Sequence, residues 1–107
     1  METAYAVSIY PNYININGKP GERAPIQLKV YGHPVSAEIE IVKAKDLKED
    51  ADVVIKRLDL GAEQQMMVPL TIVVPDVSTE YYLCAVLRRS QSMRLRVCSA
   101  VHVTVKP

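Results

Sequence analysis

The dominant period along the chain is two. In "APIQLKVYG", Ile26, Leu28 and Val30 fall on one face of an extended strand, and Gln27 and Lys29 fall on the other. "VSAEIEIVK" sets Ala37, Ile39 and Ile41 against Ser36, Glu38 and Glu40, and "QMMVPLTIVVP" aligns Met66, Val68, Leu70, Ile72 and Val74. "MRLRVCSAVHVTV" alternates most cleanly, with Met93, Leu95, Val97, Val101, Val103 and Val105 opposing Arg94, Arg96, His102 and Thr104. This pattern predicts strands with one face in a core and the other in water. The β-branched residues frequent in these runs suit a pleated surface.

Turn-forming clusters separate the runs: "NGKPGE" at 17–22, "GHP" at 32–34, "LGAE" at 60–63 and "PDVS" at 75–78. Their spacing predicts about seven or eight strands, as in a sandwich or barrel. Pro69 cannot donate to a ladder, so its strand must lie at an edge or carry a bulge. "KAKDLKEDADVV" reads as a loop or short helix leading into a strand at about 53–58.

Composition narrows the picture. The 107 residues suffice for one domain, 1–107, and 49% of them are hydrophobic, enough for a core. Phe and Trp are absent, so Val, Ile, Leu and Met must fill that core, with Tyr as the only large ring. No stretch approaches the ~20 apolar residues of a membrane span. The start, "METAYAVSIYPNY", lacks the basic and apolar regions of a secretory leader. The expectation is a chain that acts inside a cell, is a piece of a longer protein, or travels within an assembly such as a virus particle.

"YYLC" at 81–84 places Tyr82 two residues before Cys84. It resembles the penultimate strand of immunoglobulin and fibronectin type III domains, where such a Tyr forms a corner. "GKPGE" before a strand, the "LDLG" turn at 58–61 and the "VP" step at 74–75 likewise resemble immunoglobulin-like accessory domains. The resemblance implies an all-β, immunoglobulin-like antiparallel β-sandwich. The chain departs from the antibody pattern, having no Trp and no Cys in the strand at 26–31, so the inter-sheet disulfide of antibodies cannot form.

Two registers are open for the hairpin around Ser90–Ser92. A three-residue loop sets Cys84 opposite Cys98, both on the outer face with the arginines. A two-residue loop sets Cys84 opposite Val97, with Tyr82, Cys84 and Val86 in the core. A directly cross-strand disulfide is strained, so both cysteines are expected as free thiols.

Candidate chemistry is sparse. His33 lies in a Gly-His-Pro turn and His102 on the polar side of the last strand, and no nucleophile, metal-ligand or phosphate-loop motif accompanies either. The expectation is no catalytic residue, no metal and no cofactor; a pocket bringing His33 or His102 beside a perturbed carboxylate would reopen the enzyme reading. "EDAD" at 49–52 lacks the geometry of a calcium loop and reads as a solvated acidic segment. Asn12, Tyr13, Asn15 and Asn17, in "PNYINING", form a secondary candidate surface.

Charge distribution says more than the net charge of +1. Residues 38–63 carry eight acidic and five basic side chains, whereas 81–107 carry five basic and no acidic ones. Arg88, Arg89, Arg94 and Arg96 flank one hairpin. They are read as a docking surface for an acidic protein patch, either of other assembly subunits or of another copy of the chain. Near-neutral charge and the lack of aromatics around the hairpin argue against nucleic-acid binding, and nothing points to a membrane. The expected function is a non-enzymatic structural or interaction protein, a decoration or joining subunit of a capsid, tail or filament. The alternative is a ligand-binding or adhesion accessory domain of a secreted or cell-surface protein.

Overall fold

A computed structural model of the chain describes residues 4–34, 38–46, 53–88 and 94–107. Within them the alternating runs become eight strands: β1 (Ala6–Tyr10), β2 (Tyr13–Gly18), β3 (Arg23–His33), β4 (Glu38–Ala44), β5 (Val53–Leu58), β6 (Gln65–Val73), β7 (Thr79–Arg88) and β8 (Arg94–Val105). They form two sheets, one of order β1-β3-β6 and one of order β2-β8-β7-β4-β5. The architecture is an all-β sandwich, as the sequence pattern predicts.

The core is aliphatic. Leu28, Val30 and Val68 of the small sheet meet Ile39, Ile41, Ala85, Leu87, Val101 and Val103 of the large one, and all are almost fully buried. Burying each Val, Leu or Ile side chain contributes about 1.5–3 kcal/mol. A Cβ at Gly32 would lie 2.0 Å from Ile39 Cδ1, so a larger residue there would force the buried Ile39 side chain to move. The alternation in β6 holds as read, with Val68, Ile72 and Val74 buried and Met66 and Leu70 packed against the core.

One pairing departs from an antiparallel sandwich. β2 runs parallel to β8, from Tyr13↔Ala100 to Gly18↔Val105. The cause is a switch of the first extended segment between sheets. β1 pairs with β3, the chain crosses at Pro11, and β2 continues in the same direction beside β8. The Tyr10–Pro11 peptide is cis, as is His33–Pro34. Two bonds fix the crossing: Ala100 N–H donates to the Asn12 carbonyl at 2.9 Å, and the fully buried Ser99 hydroxyl donates to the Pro11 carbonyl. Ser99 is thus a buried polar group with its partner supplied.

Pro69 sits on β6, the edge of the small sheet, where it was expected. The ladder shows why it is tolerated. Val74 N–H donates to the Glu22 carbonyl and Gly32 N–H to the Gln64 carbonyl, each at 2.9 Å. Antiparallel pairs alternate between bonded and non-bonded classes. The pairs Pro25↔Thr71 and Gln27↔Pro69 therefore fall in the non-bonded class, and both proline nitrogens face away from the partner strand. At the other edge, β5 pairs with β4 through a bulge that leaves Ile55 without an opposite residue.

Candidate functional site

The register of β7 against β8 organises the outer face of the large sheet. It runs from Thr79↔Val103 to Arg88↔Arg94 and sets Cys84 opposite Cys98. This corrects the expectation of free thiols: the two sulfurs are bonded, with the Cα atoms 4.0 Å apart. Both cysteines sit on the outer face, and so does Tyr82, which therefore does not take the core position that the two-residue-loop register would give it. The inward Tyr is Tyr81, which packs against the core. The expected strain of a cross-strand bond gives way to register, since two opposed side chains on one face leave no other partner. A second apolar cluster, Val42, Ala44, Cys84 and Val86, surrounds the bond.

At one end of this face the arginines gather around a carboxylate. Cross-strand partners share a face, so the pairs Glu40↔Arg57, Glu40↔Val86, Val86↔Arg96 and Arg88↔Arg94 place Glu40, Arg57, Arg88, Arg94 and Arg96 together. Glu40 is only 5% exposed. Arg88 Nε donates to its Oε1 at 2.8 Å, and Arg57 Nε lies 3.3 Å from its Oε2. Arg94 and Arg96 are half-buried rather than fully exposed. Arg89 lies outside the described residues, as do the hairpin tip and the "EDAD" segment. Three of the four predicted arginines thus share one surface, and Arg57 joins them.

At the other end lies the Tyr13 segment. Tyr13, Asn15 and Asn17 are exposed on β2, on the same face, with Asn12 exposed just before them. Asn15 stands beside His102 in the parallel register, and the Tyr13 ring lies 4.8 Å from the His102 ring, tilted by 31°. His102 Nδ1 lies 2.8 Å from Glu80 Oε1 across the β7–β8 pair. A hollow of about 590 Å³ adjoins this pair, lined by Lys45, Asp46, Tyr82 and Ala100 as well. A histidine beside a carboxylate is one part of the arrangement that would reopen an enzyme reading. Nearby, Cys84 and Cys98 are bonded to each other and the Ser99 hydroxyl donates to the Pro11 carbonyl. His33 lies apart, its Nδ1 3.0 Å from the Gln64 side-chain oxygen. Among the described residues no group of three or more His, Cys, Asp or Glu side chains could hold a metal ion, and no helix is long and apolar enough to cross a membrane.

A further feature was not anticipated. The edges β5 and β6 leave the sandwich open on one side, over a cleft of about 510 Å³. Leu70, Ile72, Val73, Val77, Leu83 and Ile55 supply its apolar lining. Lys43 reaches into it, with Nζ 4.4 Å from the centroid of the Tyr81 ring. Burial pushes the Tyr81 phenol above its ordinary value of 10.0. The sequence signal for this side is "VVI" at 53–55, three apolar residues in a row that the structure leaves exposed.

No protein-family model matches the chain, and no curated protein matches it. Solved structures do. The periplasmic chaperone SfaE superposes with a TM-score of 0.52 at 7% identity, over 95% of this chain and 59% of the chaperone, so the chain spans about three fifths of SfaE. A superoxide reductase (neelaredoxin) from Ignicoccus hospitalis superposes with a TM-score of 0.50 at 16% identity, over 94% of this chain and 82% of the reductase. At these identities both likenesses are of fold alone, and the fold they share with this chain is a β-sandwich.

Proposed function

We propose that the chain is a non-enzymatic interaction module that docks onto an acidic protein surface, as a decoration or joining subunit of a larger assembly such as a capsid, tail or filament. In family terms it is an accessory domain of the immunoglobulin or fibronectin type III kind. The observation that carries the reading is the arginine face: Arg57, Arg88, Arg94 and Arg96 gathered about the buried Glu40. Glu40 holds two of the guanidinium groups in place before any partner arrives, which lowers the ordering cost of docking. Guanidinium forks suit carboxylates on a partner, and several acting together are needed, because an exposed pair contributes only about 0–1 kcal/mol.

The test compares the wild-type chain with R94E/R96E in extracts of its source. The wild type should sediment with a large particle and leave it as salt rises and the charges are screened. The double variant should keep the folded strand signature in circular dichroism and remain unattached. Attachment of R94E/R96E at physiological salt would refute the reading.

A second reading rests on the other end of the same face. His102 and Glu80 line the hollow of about 590 Å³, and Tyr13 and Asn15 adjoin His102, so the region offers a ring and both hydrogen-bond donors and acceptors. They favour a ligand-binding or adhesion domain, with Asn12 and Asn17 extending the surface. Binding of a small polar ligand lost on Tyr13→Ala, with the particle association intact, would select this reading.

A further inference from the structure

The sandwich has three strands facing five, and among the described residues no strand lies outside β6, the edge of the small sheet. The ladder classes derived above orient the backbone there. Odd-numbered residues of β6 form non-bonded pairs with β3, so the N–H and C=O groups of Met67, Thr71 and Val73 point to the open edge. Pro69 removes one donor from that row and leaves the stretch beside the cleft intact. Opposite this edge, β5 presents Val53, Val54 and Ile55, all exposed, and Val77 is 71% exposed. The cleft between them has the size and apolar lining of a binding site. Its described lining holds one charged group, the Lys43 ammonium, and no acid.

We infer that this open side takes a ninth strand from a partner protein. The occupant is an extended segment that hydrogen-bonds to the outer edge of β6 at Thr71 and Val73. It lays alternate apolar side chains into the cleft toward Ile55, Leu70 and Ile72, and it sets one carboxylate against Lys43. Each part answers an observation. The free backbone groups call for a strand rather than a helix or a small molecule. The apolar walls call for a period of two in the guest. The lone ammonium, with no acid beside it, calls for an acidic residue in the guest. An ammonium covered by a wholly apolar guest would lose its hydration without a partner, so Lys43 rejects a wholly apolar strand and accepts an acidic one. This site is separate from the arginine face.

The probe is a displayed random library of extended peptides about eight residues long, selected on immobilised chain. The expected consensus alternates apolar residues and carries one Asp or Glu. Binding of the consensus peptide should fall at least tenfold with Lys43→Glu, and selection on that variant should replace the acid with Lys or Arg. Thr71→Pro removes an outward N–H without touching the β3 ladder and should also cost at least tenfold, with melting unchanged. Chemical shifts of the Thr71 and Val73 amides in the wild type should move on binding. No enrichment, or a consensus indifferent to both substitutions, overturns the inference. So does a dimer in sedimentation that Ile55→Glu abolishes, which would assign the cleft to a second copy. Binding of laurate that survives Thr71→Pro would equally overturn it, in favour of an amphiphile.

Discussion

Arg88→Glu should destabilise the domain more than Arg94→Glu, one strand away. The two arginines are direct cross-strand neighbours, and read from the sequence they are interchangeable members of one surface. The structure separates them through Glu40. Arg88 Nε donates to a carboxylate that is itself 7% exposed as a side chain, and the arginine side chain is 39% exposed. A hydrogen bond to a charged group contributes about 1.5–3 kcal/mol, and the partial exposure of Arg88 puts this one near ~1.5 kcal/mol. Reversal also sets a second carboxylate beside Glu40. Two unit charges 4 Å apart repel by about 4 kcal/mol in a surface-like dielectric, and rotation of the new side chain into water removes much of that. A net loss of about 2–4 kcal/mol follows, or roughly 10–20 °C in melting temperature for a domain this small. Arg94→Glu instead sets an acid opposite Arg88 and should cost less stability than the reversal of Arg88. Thermal melts followed by far-ultraviolet circular dichroism decide. Equal melting temperatures for the two variants would refute the assignment of Arg88 to the fold.

Further expectations follow from the same geometry. Val101→Asp buries an unpaired charge in the aliphatic core and should unfold the domain, while Thr104→Asp on the exposed face should melt like the wild type; comparable melts would refute the face assignment. Intact mass of the unreduced protein should lie 2 Da below the fully reduced value, with the bridge mapping to Cys84 and Cys98; free thiols on mapping would refute the pairing. The 14-residue separation of the two cysteines predicts a loss of up to about 3 kcal/mol on replacing both by alanine, read from urea denaturation. Tyr81 holds its proton more tightly when folded than when unfolded, so its contribution is complete below pH 10.0 and is lost as pH rises above it. Tyr81→Phe should therefore flatten the fall in stability between neutral and strongly alkaline pH, and an unchanged slope would count against the burial of the phenol.

The two-residue period was sufficient to find the strands, because burial of one face is written in every alternate residue. It identified the core side of β6 and the edge position of Pro69. What it left open was decided by register. The opposition of Cys84 and Cys98 places Glu80 opposite His102 and Arg88 opposite Arg94 as well. All three pairs follow from one choice of hairpin loop length, and local composition does not dictate that choice. The second apolar cluster had a signal: Leu83 to Leu87 are five apolar residues in a row, a run that marks burial on both faces rather than alternation. The contacts of Glu40 had none. Arg57 and Arg88 lie 17 and 48 residues away along the chain, and only the sheet order β7-β4-β5 brings them to it.

The cost of burying Glu40 bears on what the arginine face is for. Taking a carboxylate out of water costs several kcal/mol, and an ion pair in such a place often does no better than apolar side chains of similar size. Val42 and Val86 stand beside it, so an apolar side chain at position 40 would extend the second apolar cluster. The double replacement Glu40→Leu with Arg88→Met should accordingly fold, with stability within about 1 kcal/mol of the wild type. Glu40→Leu alone should do worse, since it strands Arg88 without its partner. If the pair serves only the fold, the double variant should still attach to the proposed acidic partner. If Glu40 instead fixes Arg57 and Arg88 as part of a docking surface, the double variant should fold normally and lose attachment. Glu40→Gln, which keeps the shape and one acceptor while removing the charge, should then attach with intermediate strength. A double variant that folds and attaches at wild-type salt tolerance would confine docking to Arg94 and Arg96 and leave Glu40 a purely structural carboxylate.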